Sequence, residues 1–216
     1  MTADKILKLT REYLDTYRVD EADVDVLVEI GEVFDKRFAS ELVPFIEKQI
    51  TISKGAWQLP DDAGAIRTAV ERKAKEIGSQ IVDIVTTWVT EQFPKYYKRG
   101  LELWRINQEM LGIVPKDLKL TKEDSKLIGA LMSREIGTWK DHLYRHGIQV
   151  GRYVFDGLNR GWTTERFIEA MTSPDGHIVG YLYSDSRISW YEHLKRFAKG
   201  RQKVLMQTAL ERRGNQ

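Results

Sequence analysis

His142 and His146, four residues apart in the stretch DHLYRH, are the side chains best spaced for chemistry. On a helix that interval aims both imidazoles at one ion, as zinc hydrolases do with HExxH. Here Leu143 stands in the slot of the catalytic glutamate, and the candidates for a third ligand, His177 and His193, lie far along the chain. Asp185, Arg187, Glu192 and His193 make a second titratable group, of a kind that helix starts and helix faces carry routinely. Gly147, Gly151 and Gly157 are spaced for close helix packing and do not form the phosphate-cradling GxGxxG. With no cysteine, disulfides, thiolate catalysis and cysteine–metal sites are excluded. The expectation is a protein that is not an enzyme and carries no metal or cofactor. A metal-dependent enzyme using the His142/His146 pair is the alternative.

Charge points instead to contact surfaces. The whole chain is close to neutral at +2, which argues against a surface dedicated to nucleic acid. Its distribution is uneven: residues 1–60 hold 12 acidic and 8 basic side chains, whereas residues 185–216 hold 8 basic and 3 acidic. Lys195, Arg196, Lys199, Arg201 and Lys203 in the last segment are candidates for DNA phosphates or for an acidic protein surface. No base-reading module accompanies them, so any DNA contact is expected to be non-specific and weakened by salt.

The elements that must position these groups are helical. Ile6, Leu7, Leu9, Tyr13, Leu14 and Tyr17 recur at helical spacing behind Thr2, which predicts a first helix to Tyr17. Asp20 is placed to cap a second, from Val24 to Ile50, which Pro44 should kink or restart. A loop is expected over 54–64, with Trp57 folded back as a plug. A third helical region should begin near Ala65, break at Pro94 and stop at Gly112. Thr121 or Asp124 should start the longest helix, ending near 159–161, and Thr163 should cap a short one. Ser173 to Gly176 reads as a turn, and a strand is expected only near 177–183. Ser184 or Asp185 should cap the last helix. The predicted fold is mostly α: an elongated bundle of long helices with a small C-terminal helical subdomain. It divides into an N-terminal helical region, 1–115, and a long helix plus C-terminal region, 116–216. The opening MTADKILKLTREYL interleaves charges and does not read as a signal peptide, and no stretch is apolar enough to span a membrane.

The segment FDGLNRGWTTERFIEAM, with Gly157, Gly161, Thr163 and Glu165, resembles the end of the long helix in phage head-morphogenesis proteins of the Mu F-like minor head family. Upstream, YYKRGLELWRINQEMLGI is similar to that family's aromatic–glycine helix. Downstream, Glu192, Phe197 and Gly200 match a further helix, in which Trp190 and Tyr191 replace the family's arginine and threonine. The likeness covers about residues 95–214. It implies a structural minor head protein of a tailed phage, located in the virion. Such a protein would sit in a multimeric assembly, contact portal or capsid protein, and assist assembly or genome packaging and delivery. A head–tail connector, scaffold or internal core protein is the alternative within that class.

Overall fold

A computed structural model describes residues 2–18, 22, 25, 37–54, 60–115, 118–163, 165–166, 169 and 190–214. Among the described residues about nine-tenths are helical, in five α-helices, and no strand occurs, so the fold is mostly α as the periodicity predicts. Helix α1 spans Ala3–Tyr17, α2 Val43–Lys54, α3 Pro60–Met110, α4 Lys122–Asn159 and α5 Trp190–Gly214. The chain divides into two compact units. Unit 1 takes residues 1–27, 86–135 and 195–216; unit 2 takes 28–85 and 136–194. The expected boundary at 115/116 therefore falls inside unit 1.

Thr2 stands at the N-cap of α1 with extended backbone, although its side chain makes no cap bond. Before α2, Phe38–Leu42 form a π-helical turn, and Pro44 is the second residue of the α-helix that follows. Proline has no N–H to give, so the wider turn and restart are the expected response to it. Position 20, Trp57, the turn at 173–176, the strand expected near 177–183, and the caps expected at Ser184 or Asp185 lie outside the described residues.

Two expectations about α3 are corrected. It begins at Pro60 rather than near Ala65, since a proline in the first turn loses no helix bond. It also runs unbroken through Pro94 for 51 residues, so it and not α4, at 38, is the longest helix. An internal proline costs about 3 kcal/mol. Tyr96 and Tyr97 just after the defect, and Trp88, Val89 and Phe93 before it, are all buried. At roughly 1.5–3 kcal/mol for each large apolar side chain, their burial outweighs one missing bond. The carbonyl left over belongs to Thr90, an exposed residue, where water can serve as donor.

The stops were legible. Both Gly112 (φ +77°) and Gly161 (φ +67°) adopt the left-handed conformation that glycine takes without steric cost. In each case the next residue's N–H reaches back five positions: Ile113 to the Gln108 carbonyl at 2.9 Å, and Trp162 to the Gly157 carbonyl at 3.0 Å. The glycine N–H closes the inner bond, to Glu109 and Leu158 respectively. This is the Schellman closure, which satisfies carbonyls that a helix end would leave open. At the start of α4, Thr121 Oγ1 accepts from the Asp124 N–H at 3.1 Å while Asp124 Oδ2 accepts from the Thr121 N–H at 2.9 Å. Thr121 is thus the cap, in a reciprocal box with aspartate at the third position.

In unit 2 the first half of α3 packs on the second half of α4. Ile66, Val70, Ile77 and Ile81 are buried there, as are Leu143, Val150 and Val154. Glycines set the approach, as their spacing suggests. A Cβ on Gly147 would meet Lys75 Cγ at 2.9 Å, and one on Gly78 would meet Leu143 Cβ at 3.3 Å. In unit 1, α5 lies on the later part of α3, and a Cβ on Gly100 would come within 2.8 Å of Met206 Cα and 2.7 Å of Ala209 Cβ. The aromatic–glycine stretch around Tyr96, Tyr97 and Gly100 is therefore a helix-packing surface.

Candidate functional site

The last helix carries most of the predicted contact residues, and unit 1 holds it by buried polar bonds as well as by apolar packing. Ala198, Leu205, Met206 and Ala209 are buried on one face of α5. Among them Gln202, fully buried, donates to the Tyr96 hydroxyl at 2.6 Å. A buried amide is costly unless bonded, so this pair fixes the register of α5 on α3 as well as its adhesion.

Near its C-terminal end α5 closes on Asp124. That carboxylate is buried and accepts from the Tyr97 hydroxyl at 2.8 Å, the Thr121 N–H at 2.9 Å and Arg213 Nη2 at 2.8 Å. Arg212 Nε adds an ion pair at 3.0 Å. Arg213 also donates to the Lys119 carbonyl at 3.2 Å. One anion thereby ties the cap of α4, the later part of α3 and the end of α5. Burial pushes the Asp124 pKa up, but the bonds from Thr121 and Tyr97 and the Arg213 charge outweigh it and hold the carboxyl below its ordinary value. Burial and the adjoining carboxylate push the Tyr97 phenol up to about 12.

The basic residues of α5 separate into two kinds. Arg201 pairs inward: its Nε is 3.0 Å from Glu135 Oε2, a carboxylate almost wholly buried, and its guanidinium lies 4.9 Å from the Phe197 ring centroid. Arg196 and Lys203 are exposed, and Lys195 and Lys199 are half-buried. Positions 196, 199 and 203 fall three and four residues apart, so they share one helix face. The exposed members of that face, Arg196 and Lys203, rather than the whole set of five, are where an external anion can be met.

The positions that carry the family resemblance have local structural roles. Gly157 is buried and its carbonyl closes the α4 stop; Gly161 supplies the positive φ; Thr163 Oγ1 accepts from the Arg166 N–H at 3.3 Å as a helix cap. Trp162 packs edge-on against Tyr153, with ring centroids 5.3 Å apart, and Arg166 lies 5.0 Å from the Trp162 centroid. Glu165 is helical and exposed, Phe197 is half-buried against Arg201, and Gly200 is exposed with open space around it. Glu192 lies within α5, its side chain outside the described set.

His142 and His146 do not share an environment: His142 is exposed and His146 is buried. Among the described residues no group of three or more His, Cys, Asp or Glu is placed to hold a metal ion. Nor is any helix of the described residues long and apolar enough to cross a membrane.

Sequence reasoning missed two features of unit 1. The polar anchor at Asp124 had a readable signal in Thr121-x-x-Asp124, but its partners Tyr97, Arg212 and Arg213 come from distant positions. The second is an exposed apolar run just past the α3 stop, where Leu111, Ile113 and Val114 are 72%, 51% and 87% exposed. Comparison of the chain with known protein families, with curated proteins and with solved structures finds no match.

Proposed function

We propose that this chain is a structural minor head protein of a tailed phage, contacting portal or capsid protein and assisting assembly or genome packaging and delivery. The observation that carries the reading is the exposed apolar run of unit 1 just after α3: Leu111, Ile113 and Val114. Apolar side chains held this far out in water are a standing cost, and their grouping marks a protein that works by binding other chains. The resemblance over residues 95–214 supplies the class of assembly. If the reading holds, the chain co-purifies in fixed stoichiometry with gradient-purified mature particles. Its presence only in immature particles would make it a scaffold, and its absence from both would remove the head assignment.

A second contact, to DNA, is favoured by Arg196 and Lys203, exposed and two turns apart on α5. Two phosphate contacts give a salt dependence of log K against log salt with a slope near −2, at about −0.9 per contact. Replacing the two by serine should abolish that slope. Unchanged binding in the double variant would assign these residues to a protein contact or leave them as solvated surface.

A further inference from the structure

Helix α1 gives the core of unit 1 very little. Leu9 is buried, Glu12, Tyr13 and Thr16 are half-buried, and these four lie on one face. The neighbouring face, turned toward solvent, carries Ala3, Leu7, Thr10, Leu14 and Tyr17, spaced alternately by four and three residues. That is the seam spacing of a helix pair. Leu7 is 58% and Leu14 62% exposed, so nothing among the described residues covers the seam. Its one polar member is already satisfied, because the Thr10 hydroxyl donates to the Ile6 carbonyl at 2.9 Å within the same helix. Thr10 can therefore enter an apolar contact without stranding a donor.

The helix is also pre-ordered. Glu12 pairs with Arg105, whose guanidinium is further held by Glu102 and Glu109, and Arg99 donates to the Arg18 carbonyl at 2.6 Å. A partner would not have to fold α1, only to cover it.

What covers it is indicated by the charges beside the seam. Asp4, Arg11 and Arg18, all exposed, form a row at seven-residue intervals along one edge. The row is negative at one end and positive at the other, so it complements its own reverse. We propose that this face docks on the same face of a second copy of the chain, the two α1 helices running antiparallel about a two-fold axis near Arg11. Asp4 of each copy then lies opposite Arg18 of the other, twice by symmetry. In a parallel pair the same row would face Ile6 and Tyr13 and find no opposite charge. The antiparallel pair has one unfavourable contact, Arg11 against Arg11 at the axis. The net charge of +2 per chain adds little repulsion at longer range. A helix of 15 residues offers about 22 Å of seam, too short for one helix pair to bury the roughly 1,000 Å² of a standard interface, so the dimer is a micromolar one. This inference does not rest on the phage reading.

Sedimentation equilibrium of the full chain over about 5–300 µM (the range that brackets a micromolar constant) should show a reversible monomer–dimer equilibrium. Leu7→Glu with Leu14→Glu should abolish it and leave helix content unchanged, since both side chains are exposed. Asp4→Arg should weaken the dimer about tenfold and Asp4→Arg with Arg18→Asp should restore it, while Arg11→Gln should tighten it about threefold. The chain has no cysteine, so single introduced cysteines report geometry cleanly. With a short bismaleimide, Arg11→Cys should cross-link to its own copy and Asp4→Cys should not. A monomer throughout, a dimer that survives the double Leu→Glu change, or Asp4→Cys linking as fast as Arg11→Cys would each overturn the proposal.

Discussion

Asp124→Asn removes one charge from the centre of unit 1 and keeps the shape of the side chain. The native carboxylate is buried, with three hydrogen bonds and an added ion pair. Arg213 and Arg212 are 14% and 29% exposed, so neither is well solvated once its counter-charge is gone. Breaking a buried pair from one side costs about 3–5 kcal/mol. The lower figure applies here because Arg212 keeps some water and asparagine can still cap α4. A loss of about 3 kcal/mol corresponds to a fall in Tm of about 6–12 °C for a chain of this size. Thr121→Ala, which removes only the other half of the cap, should cost about 1 kcal/mol. Urea unfolding gives the energies, and hydrogen exchange shows whether the loss falls in α5. The pH dependence has a definite sign. The Asp124 pKa is lowered by folding, so its contribution is present above the unfolded value near 4 and is lost as pH falls through the folded value. The native chain should therefore lose stability below about pH 4 more steeply than Asp124→Asn does. Asp124→Asn costing less than about 1 kcal/mol, or acid profiles that run parallel, would refute the claim that this anion anchors the last helix.

Three further outcomes follow from the packing. Pro94→Ala returns a donor to the Thr90 carbonyl and should stabilise the chain by roughly 1–3 kcal/mol, read as a higher urea midpoint with unchanged slope. Gly100→Leu places side-chain atoms against the Met206 backbone, which cannot move aside as a side-chain tip can; the expected cost is about 3 kcal/mol or more, with α5 losing exchange protection first. Between pH 10 and 12 the native chain should lose stability as Tyr97 ionises, since its folded pKa is raised to about 12, and Tyr97→Phe should flatten that alkaline limb in a pH series of thermal melts.

Helix stops and starts were readable because they depend on a few adjacent residues. Gly112 and Gly161 each close a helix by backbone bonds within six positions, and Thr121 with Asp124 forms a box within four. Pro94 misled because its effect is local whereas the burial that overrides it is not: Tyr96 and Tyr97 are held by Gln202 and Asp124, 106 and 27 residues away. The apolar stripe of α1 was visible in the sequence, but which part of it faces the core was not. Six apolar positions fit one broad face, and the fold buries only Leu9 fully and turns Leu7 and Leu14 outward. The same limit applies to the basic helix. Composition groups Arg201 with Arg196 and Lys203, and only the position of Glu135 separates them.

The central claim, that this chain is a resident structural component of a phage head, is tested most directly by a reconstruction of the assembled particle. The account predicts density for the five helices at the portal or on the inner capsid surface of mature particles, with the Leu111–Val114 run against another protein. Mature particles that lack this density, with the chain recovered only as free protein, would contradict it.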